Sequence, residues 1–311
     1  MEPVLTTQAA VAVGGTGRGA SPYGDGGALR HAVIERVAAG QVDLPLLPQV
    51  ASQVLMLAGK PTVDAAQLSG LIHRDPALAG QVLRIANSPA YMPKMPIVSL
   101  QQAVARLGLN TVTEIALVAS MQSGTFRVKG FEVELARLWR HAIASGVFGK
   151  EIARIRRSNV EAAFLCGLLH AVGKPALLQV VADEELKLAR ARLASEQTAT
   201  GTTRAALPAI LDELHTGVGL RIAEVWCLPR PVVNAIATYA DYERQPSFTE
   251  EALITCLADR LATDLTEPGR FDEASVRNHA VFAQLNLYPD DVAALRAKRA
   301  QVAEAVAAMT A

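Results

Sequence analysis

The sequence predicts an all-α protein in which a smaller helical bundle precedes a larger helical unit. Three observations predict it. Half of the residues are hydrophobic but only 5% are aromatic, so Ala, Leu and Val carry the apolar share, a mixture suited to helices packed through small side chains. Apolar positions recur at helical spacing over most of the chain, and no stretch gives a convincing strand pattern. Start and stop signals punctuate these runs at regular intervals.

Residues 1–27 are predicted to be a disordered Gly-rich tail, because they hold too little periodic apolar material to offset the entropy of ordering. The first helical unit is placed at 28–125. It opens with a helix from about Ala28, where Leu29, Val33, Ile34 and Val37 share a stripe and Gly40 stops the run. Leu44-Pro45 and Leu47-Pro48 read as an extended lead-in, since a residue before proline is pushed out of the α region. A helix follows over Gln49–Leu57, then one capped by Thr62 or Asp64. Asp75-Pro76 is a strong helix start, an N-cap acceptor with proline at N1, and Asn87-Ser88-Pro89 is its stop. Ser99 with Gln102 predicts a capping box, Gly108 a C-terminus, and Asn110 a further N-cap.

The segment Gly124–Gly130 separates this unit from a second at 131–288. Long helices are predicted near 135–155, 159–169, 175–194, 207–226, 231–242 and 250–265, with a loop at 198–203. A final amphipathic helix, in the segment 289–311, is predicted from Asp290 to about Met309. No fixed-period repeat is present, which excludes a solenoid.

Charge and composition narrow the function. Thirty basic residues balance thirty acidic ones and the pI is near 7, so the chain carries no overall electrostatic footprint of a nucleic-acid or anionic-membrane binder. No uninterrupted apolar run approaches the ~20 residues of a membrane span. The N-terminus lacks a leader pattern, so a cytoplasmic location is expected. Cys166, Cys227 and Cys256 form no Cys-x-x-Cys pair and are expected to be buried free thiols. Gly173-Lys174 lacks the framework of a phosphate loop, and the N-terminal glycines follow no strand. Lys150, Arg154, Arg156 and Arg157 are expected to be a solvated helix face, with a nucleotide-phosphate site as the alternative.

Two stretches carry a resemblance. The Leu44-Pro45 lead-in, the Asp75-Pro76-Ala77-Leu78 helix, the Asn87-Ser88 stop and the Ala103-Val104 to Leu107-Gly108 helix occur in the order found in the first half of an HDOD domain. The run Leu168-Leu169-His170-Ala171-Val172-Gly173-Lys174 resembles the Leu-Leu-His-Asp-Ile-Gly-Lys core of the HD superfamily. The chain thus resembles the HDOD family, regulatory relatives of the HD phosphohydrolases, from about Leu44 to Leu265. That resemblance implies an HD-like helical fold for the second unit and a signalling role, often in bacteria. The family's company makes a link to cyclic di-GMP signalling an expectation.

Carried over residue by residue, the resemblance puts His141, His170, His215 and Asp259 at positions where active HD enzymes hold divalent metal. The partner of His170 in the His-Asp pair is Ala171, whose methyl group cannot coordinate a cation. The two-histidine element of two-metal members falls near Tyr239-Ala240. The site is therefore expected to be vestigial, with no catalytic residue, no metal and no cofactor. Weak capture of a softer metal by His141, His170 and Asp259 is the alternative, and a hydrogen-bonded core role for the histidines is the simplest reading.

The expected function is non-catalytic signal transduction through a protein partner or small ligand, without nucleic acid or membrane. The rival is a divergent metal-dependent phosphohydrolase acting on a nucleotide or cyclic dinucleotide. Asp75, Asn87 and Ser88 are read as cap and turn residues that could also form a docking surface. A homodimer through an apolar stripe of Val292, Leu295, Val302 and Val306 is a third reading.

Overall fold

Helix boundaries follow the chain's local chemistry in a computed structural model that describes residues 25–58, 65–91, 95–122, 125–194, 203–267 and 279–310. Residues 1–24 of the predicted tail, the Thr62 and Asp64 caps, Gly124 and residues 198–202 of the predicted loop lie outside these residues. All regular structure among the described residues is helical.

The first unit contains α2 (Gln49–Ala58), α3 (Ala65–His73), α4 (Pro76–Ala86), α5 (Leu100–Leu107) and α6 (Leu109–Gln122), with a 3₁₀ turn at Pro89–Tyr91. The Asp75 carboxylate accepts from the Ala77 and Leu78 amides at 3.0 Å, and Pro76 fills N1. Ser99 caps α5 by accepting from the Gln102 amide. Gln102 reaches back one residue further than the usual capping box, taking the Val98 amide at 2.9 Å. Gly108 ends α5 at φ 83°, a conformation that L side chains resist. The central α6 is buried on nearly every side, from Val112 to Met121, and packs on α2, α4 and α5.

The second unit holds α7 (Glu132–Arg156), α8 (Val160–Leu169), α9 (Gly173–Ala194), α10 (Leu207–Val225), α11 (Arg230–Thr238) and α12 (Glu250–Thr266). Helix α7 packs on α8 and α12, and α9 on α10. Asn159 and Thr249 cap α8 and α12. The apolar window Val160–Ala191 is long enough by composition to span a membrane, yet 78% of its core stretch lies buried within the protein. It is two core helices broken at His170–Val172.

Five expectations are corrected. The first helix, α1, begins at Asp25 and runs to Ala38, and it packs on α9 and α10 of the second unit. Three ion pairs fix it there, Arg30 to Glu213 at 2.7 Å and Arg36 to Asp183 and Glu184 at 3.0 and 3.1 Å. Asn110 does not cap α6, which already begins at Leu109; its amide reaches Glu161 on α8. Lys150 is not on a solvated face: its ammonium bonds Glu114 of α6 at 2.5 Å, both side chains nearly buried, because two close charges tolerate burial only as a pair. Cys227 is exposed, while Cys166 and Cys256 are buried as expected.

The fifth concerns the C-terminus, where a short helix α13 (Ala280–Gln284) comes first and the single helix predicted from Asp290 is two, α14 (Pro289–Ala297) and α15 (Arg299–Thr310). The stripe residues Leu295, Val302 and Val306 are buried against the protein's own helices. The apolar face read as a dimer contact is thus occupied within the chain.

Candidate functional site

Three helices of the second unit bring the site together, and small residues set their approach. Along α7, Ser145 and Gly149 stand one and two turns beyond His141, on the same face. A β-carbon on Gly149 would lie 2.7 Å from the Ala163 carbonyl, and one on Gly167 would collide with the Ser145 carbonyl. This close α7–α8 contact places the His141 and His170 rings 5.8 Å apart. Asp259 enters from α12, which packs on both α7 and α8.

Asp259 Oδ1 faces both imidazoles, 2.8 Å from His141 Nε2 and 3.1 Å from His170 Nε2. His170 has no exposed side-chain surface, His141 has 12% and Asp259 has 29%. The other ring nitrogens define the proton positions. His170 Nδ1 lies 2.7 Å from the Gly167 carbonyl, which only accepts, so Nδ1 carries a hydrogen and donates. His170 Nε2 then needs its own proton, or a cation, between it and the carboxylate. His141 is constrained in the same way: the Thr266 hydroxyl gives its one hydrogen to the Ala262 carbonyl at 2.8 Å, so at 3.2 Å it accepts from His141 Nδ1. Both Nε2 atoms therefore face Asp259 Oδ1 with the hydrogen of each neutral ring on the far nitrogen, so each contact closes through an added proton or a shared cation. Burial pushes the Asp259 carboxyl up, but the hydrogen bonds and charges of His141 and His170 outweigh it and hold it well below the usual range.

His215 stands apart from this triad. Its Nδ1 donates to the Leu211 carbonyl at 3.0 Å, and its Nε2 accepts from the buried Tyr239 hydroxyl at 2.8 Å. Both nitrogens are satisfied in the neutral ring. Burial, reinforced by Lys174 and His170, lowers its pKa to about 4, while burial raises Tyr239 well above its ordinary value. The Tyr239 ring stands edge-on to His170, centroids 4.7 Å apart. Aromatic carbon thus covers the space between His170 and His215.

Ala171 is half-buried beside His141, at an apolar crevice of about 20 Å³ that also touches Met121, Leu138 and Leu168. That volume holds one water at most. A wider cleft of about 310 Å³ opens over His141, His215, Tyr239 and Asp259, with Lys174, Asp212 and Arg260 on its wall. Lys174 and Asp212 are paired there at 2.8 Å.

The HDOD domain model matches residues 44–242. The chain belongs to the HDOD family. This HDOD protein shares 25% identity over 211 residues with an uncharacterised protein of Treponema pallidum (strain Nichols), covering 66% of the present chain and 39% of that protein. It therefore spans about two fifths of the curated relative's length. Among solved structures, an HDOD domain protein of unknown function from Geobacter sulfurreducens has a TM-score of 0.66 at 21% identity, with 89% of this chain and 98% of that one covered. A protein of Marinobacter aquaeolei VT8, provisionally named for signal transduction, gives 0.64 at 22%, covering 94% and 68%. One from Shewanella amazonensis SB2B, provisionally named a phosphohydrolase, gives 0.63 at 20%, covering 89% and 98%. At these identities the likeness establishes the fold, which the HDOD family shares with the HD phosphohydrolases.

The structure brings His141, His170 and Asp259 to one point, sets Ala171 beside them, and gives His215 to Tyr239. Asp75 is used as a cap. Asn87 spends its amide internally, Nδ2 donating to the Leu83 and Ile97 carbonyls and Oδ1 accepting from the Ile97 amide, each within 2.8 Å. The Ser88 hydroxyl is buried. Sequence reasoning missed Tyr239 as a partner of His215 and Thr266 as a partner of His141. Thr266 had a signal: it lies seven residues after Asp259, two turns along the same helix face.

Proposed function

We propose that this HDOD protein is a non-catalytic regulatory module, which transmits a signal through a protein partner or a small ligand held in the cleft above His141 and His215. The observation that carries the reading is Ala171, a methyl group where the resemblance puts the central carboxylate of a hydrolytic site. A hard divalent ion that activates water draws on anionic oxygen donors. Asp259 alone supplies one among the three groups that converge there. The third imidazole, His215, is engaged by Tyr239. This donor set does not fit a hydrolytic divalent ion, and no reaction step is assigned to one.

A second reading is a divergent metal-dependent phosphohydrolase acting on a nucleotide or cyclic dinucleotide. Its motivation is that ligand atoms of His141, His170 and Asp259 lie within 4.8 Å of one another. One experiment separates the two. The full chain, purified and supplied with Mn²⁺ or Zn²⁺, is assayed against a bis-phosphoester, nucleotides and cyclic dinucleotides. The regulatory reading expects no turnover above a His170→Ala control. Turnover that this substitution abolishes would establish the hydrolase.

A further inference from the structure

The last helix touches both helical units. Helix α15 packs on α7 of the second unit, and on α6 and the Pro89–Tyr91 turn of the first. Its buried side chains are Val302, Val306, Ala308 and Met309. Its start is tied to the unit that bears the histidines. Arg299 donates from Nε to the Asp264 carboxylate at 3.2 Å and from Nη2 to the Asp264 carbonyl at 3.3 Å. Lys298, the single residue between α14 and α15, faces Glu151 of α7 at 3.7 Å.

These anchors sit on the helices that carry the site. Asp264 follows Asp259 by five residues on α12, and Glu151 follows His141 by ten on α7. Apolar side chains of the two units belong to one continuous core, with Met121 of the first meeting Leu138 and Leu168 of the second. Polar links between the units include the Glu114–Lys150 pair, the bond from Asn110 to Glu161, and the bond from Trp226 Nε1 to the Pro45 carbonyl at 2.7 Å. Phe126, in the connecting segment, stands against Trp139 and Trp226.

We propose that α15 is a strap: anchored on α7 and α12, it holds the α2–α6 bundle against them and fixes the angle between the units. Non-directional apolar burial along α15 supplies the attachment. Releasing the strap therefore loosens the first unit as a body and leaves α7, α8 and α12 folded. The inference is independent of whether the histidine site hydrolyses anything.

Hydrogen exchange on the full chain tests it, with two variants. Val306→Asp puts an unpaired charge into the buried face. Arg299→Ala cuts the anchor and leaves the apolar face intact. In Val306→Asp the strap expects amide exchange in α2–α6 and at Pro89–Tyr91 to accelerate about tenfold or more, with α8 and α12 near their native rates. Arg299→Ala should show the same pattern more weakly. Acceleration confined to α15 would make it a passive tail, and uniform acceleration of both units a plain core helix; either result overturns the proposal. Should Val306→Asp fail to fold, the pattern in Arg299→Ala decides on the same terms.

Discussion

His170 and His215 are both buried, both donate from Nδ1 to a backbone carbonyl, and both lie against Tyr239, yet they meet opposite partners at Nε2. His170 faces a carboxylate and His215 a phenolic hydroxyl. The first arrangement concentrates charge and needs a proton or a cation to close. The second closes without charge. The difference teaches that an imidazole's position in a fold says little about its chemistry until the group beyond its second nitrogen is known.

Removing the anion breaks the comparison most severely. In Asp259→Ala the His170 Nε2 loses its partner within a buried site, and breaking such a pair costs about 3 kcal/mol or more. A urea titration should show a lower midpoint with an unchanged slope. A variant as stable as the native chain would remove the charged triad from the account.

Acid separates the two imidazoles next. His215 has a folded pKa of about 4, below the ~6.5 of an unfolded histidine. Between those values the unfolded chain binds a proton that the folded chain refuses, so this contribution is complete above the upper value and is lost as pH falls toward the lower. The loss is of order 2–3 kcal/mol. His215→Gln should flatten the stability profile in that window. Asp259, held low, keeps its contribution there and loses it only below the ordinary carboxylate range near ~4. A native profile flat from pH 7 to about 4 would contradict the neutral, shielded His215.

Tyr239→Phe is the mildest change, since it keeps the ring against His170 and deletes only the donor to His215. An unsatisfied buried acceptor costs about 1–2 kcal/mol, measurable by the same urea titration. No loss would mean that Nε2 finds another donor.

The legible part of the molecule was what neighbours in sequence decide. Asp75 before Pro76, Ser99 before Leu100 and Asn159 before Val160 each fix a helix start through atoms within three residues, so those boundaries were readable. The convergence of His141, His170 and Asp259 was readable only through the family resemblance, because 118 residues of chain separate the partners of its shortest bond. Where a helix docks was not readable. The stripes on α1 and α15 announce that a face will be buried, but a stripe of Val and Leu does not name the surface that covers it. Lys150 misled for the same reason: neighbouring Arg154, Arg156 and Arg157 suggest a basic face, and only the fold reveals Glu114 opposite.

The proposed regulatory role rests on the methyl group of Ala171, which stands where a hydrolytic site would place a carboxylate. Paired calorimetric titrations of Mn²⁺ into the native chain and into Ala171→Asp test it most directly. The account expects no saturable binding to the native chain, and binding of one ion in the variant that disappears when His170 is also changed to Ala. Stoichiometric binding by the native chain, unimproved by the added carboxylate, would contradict it.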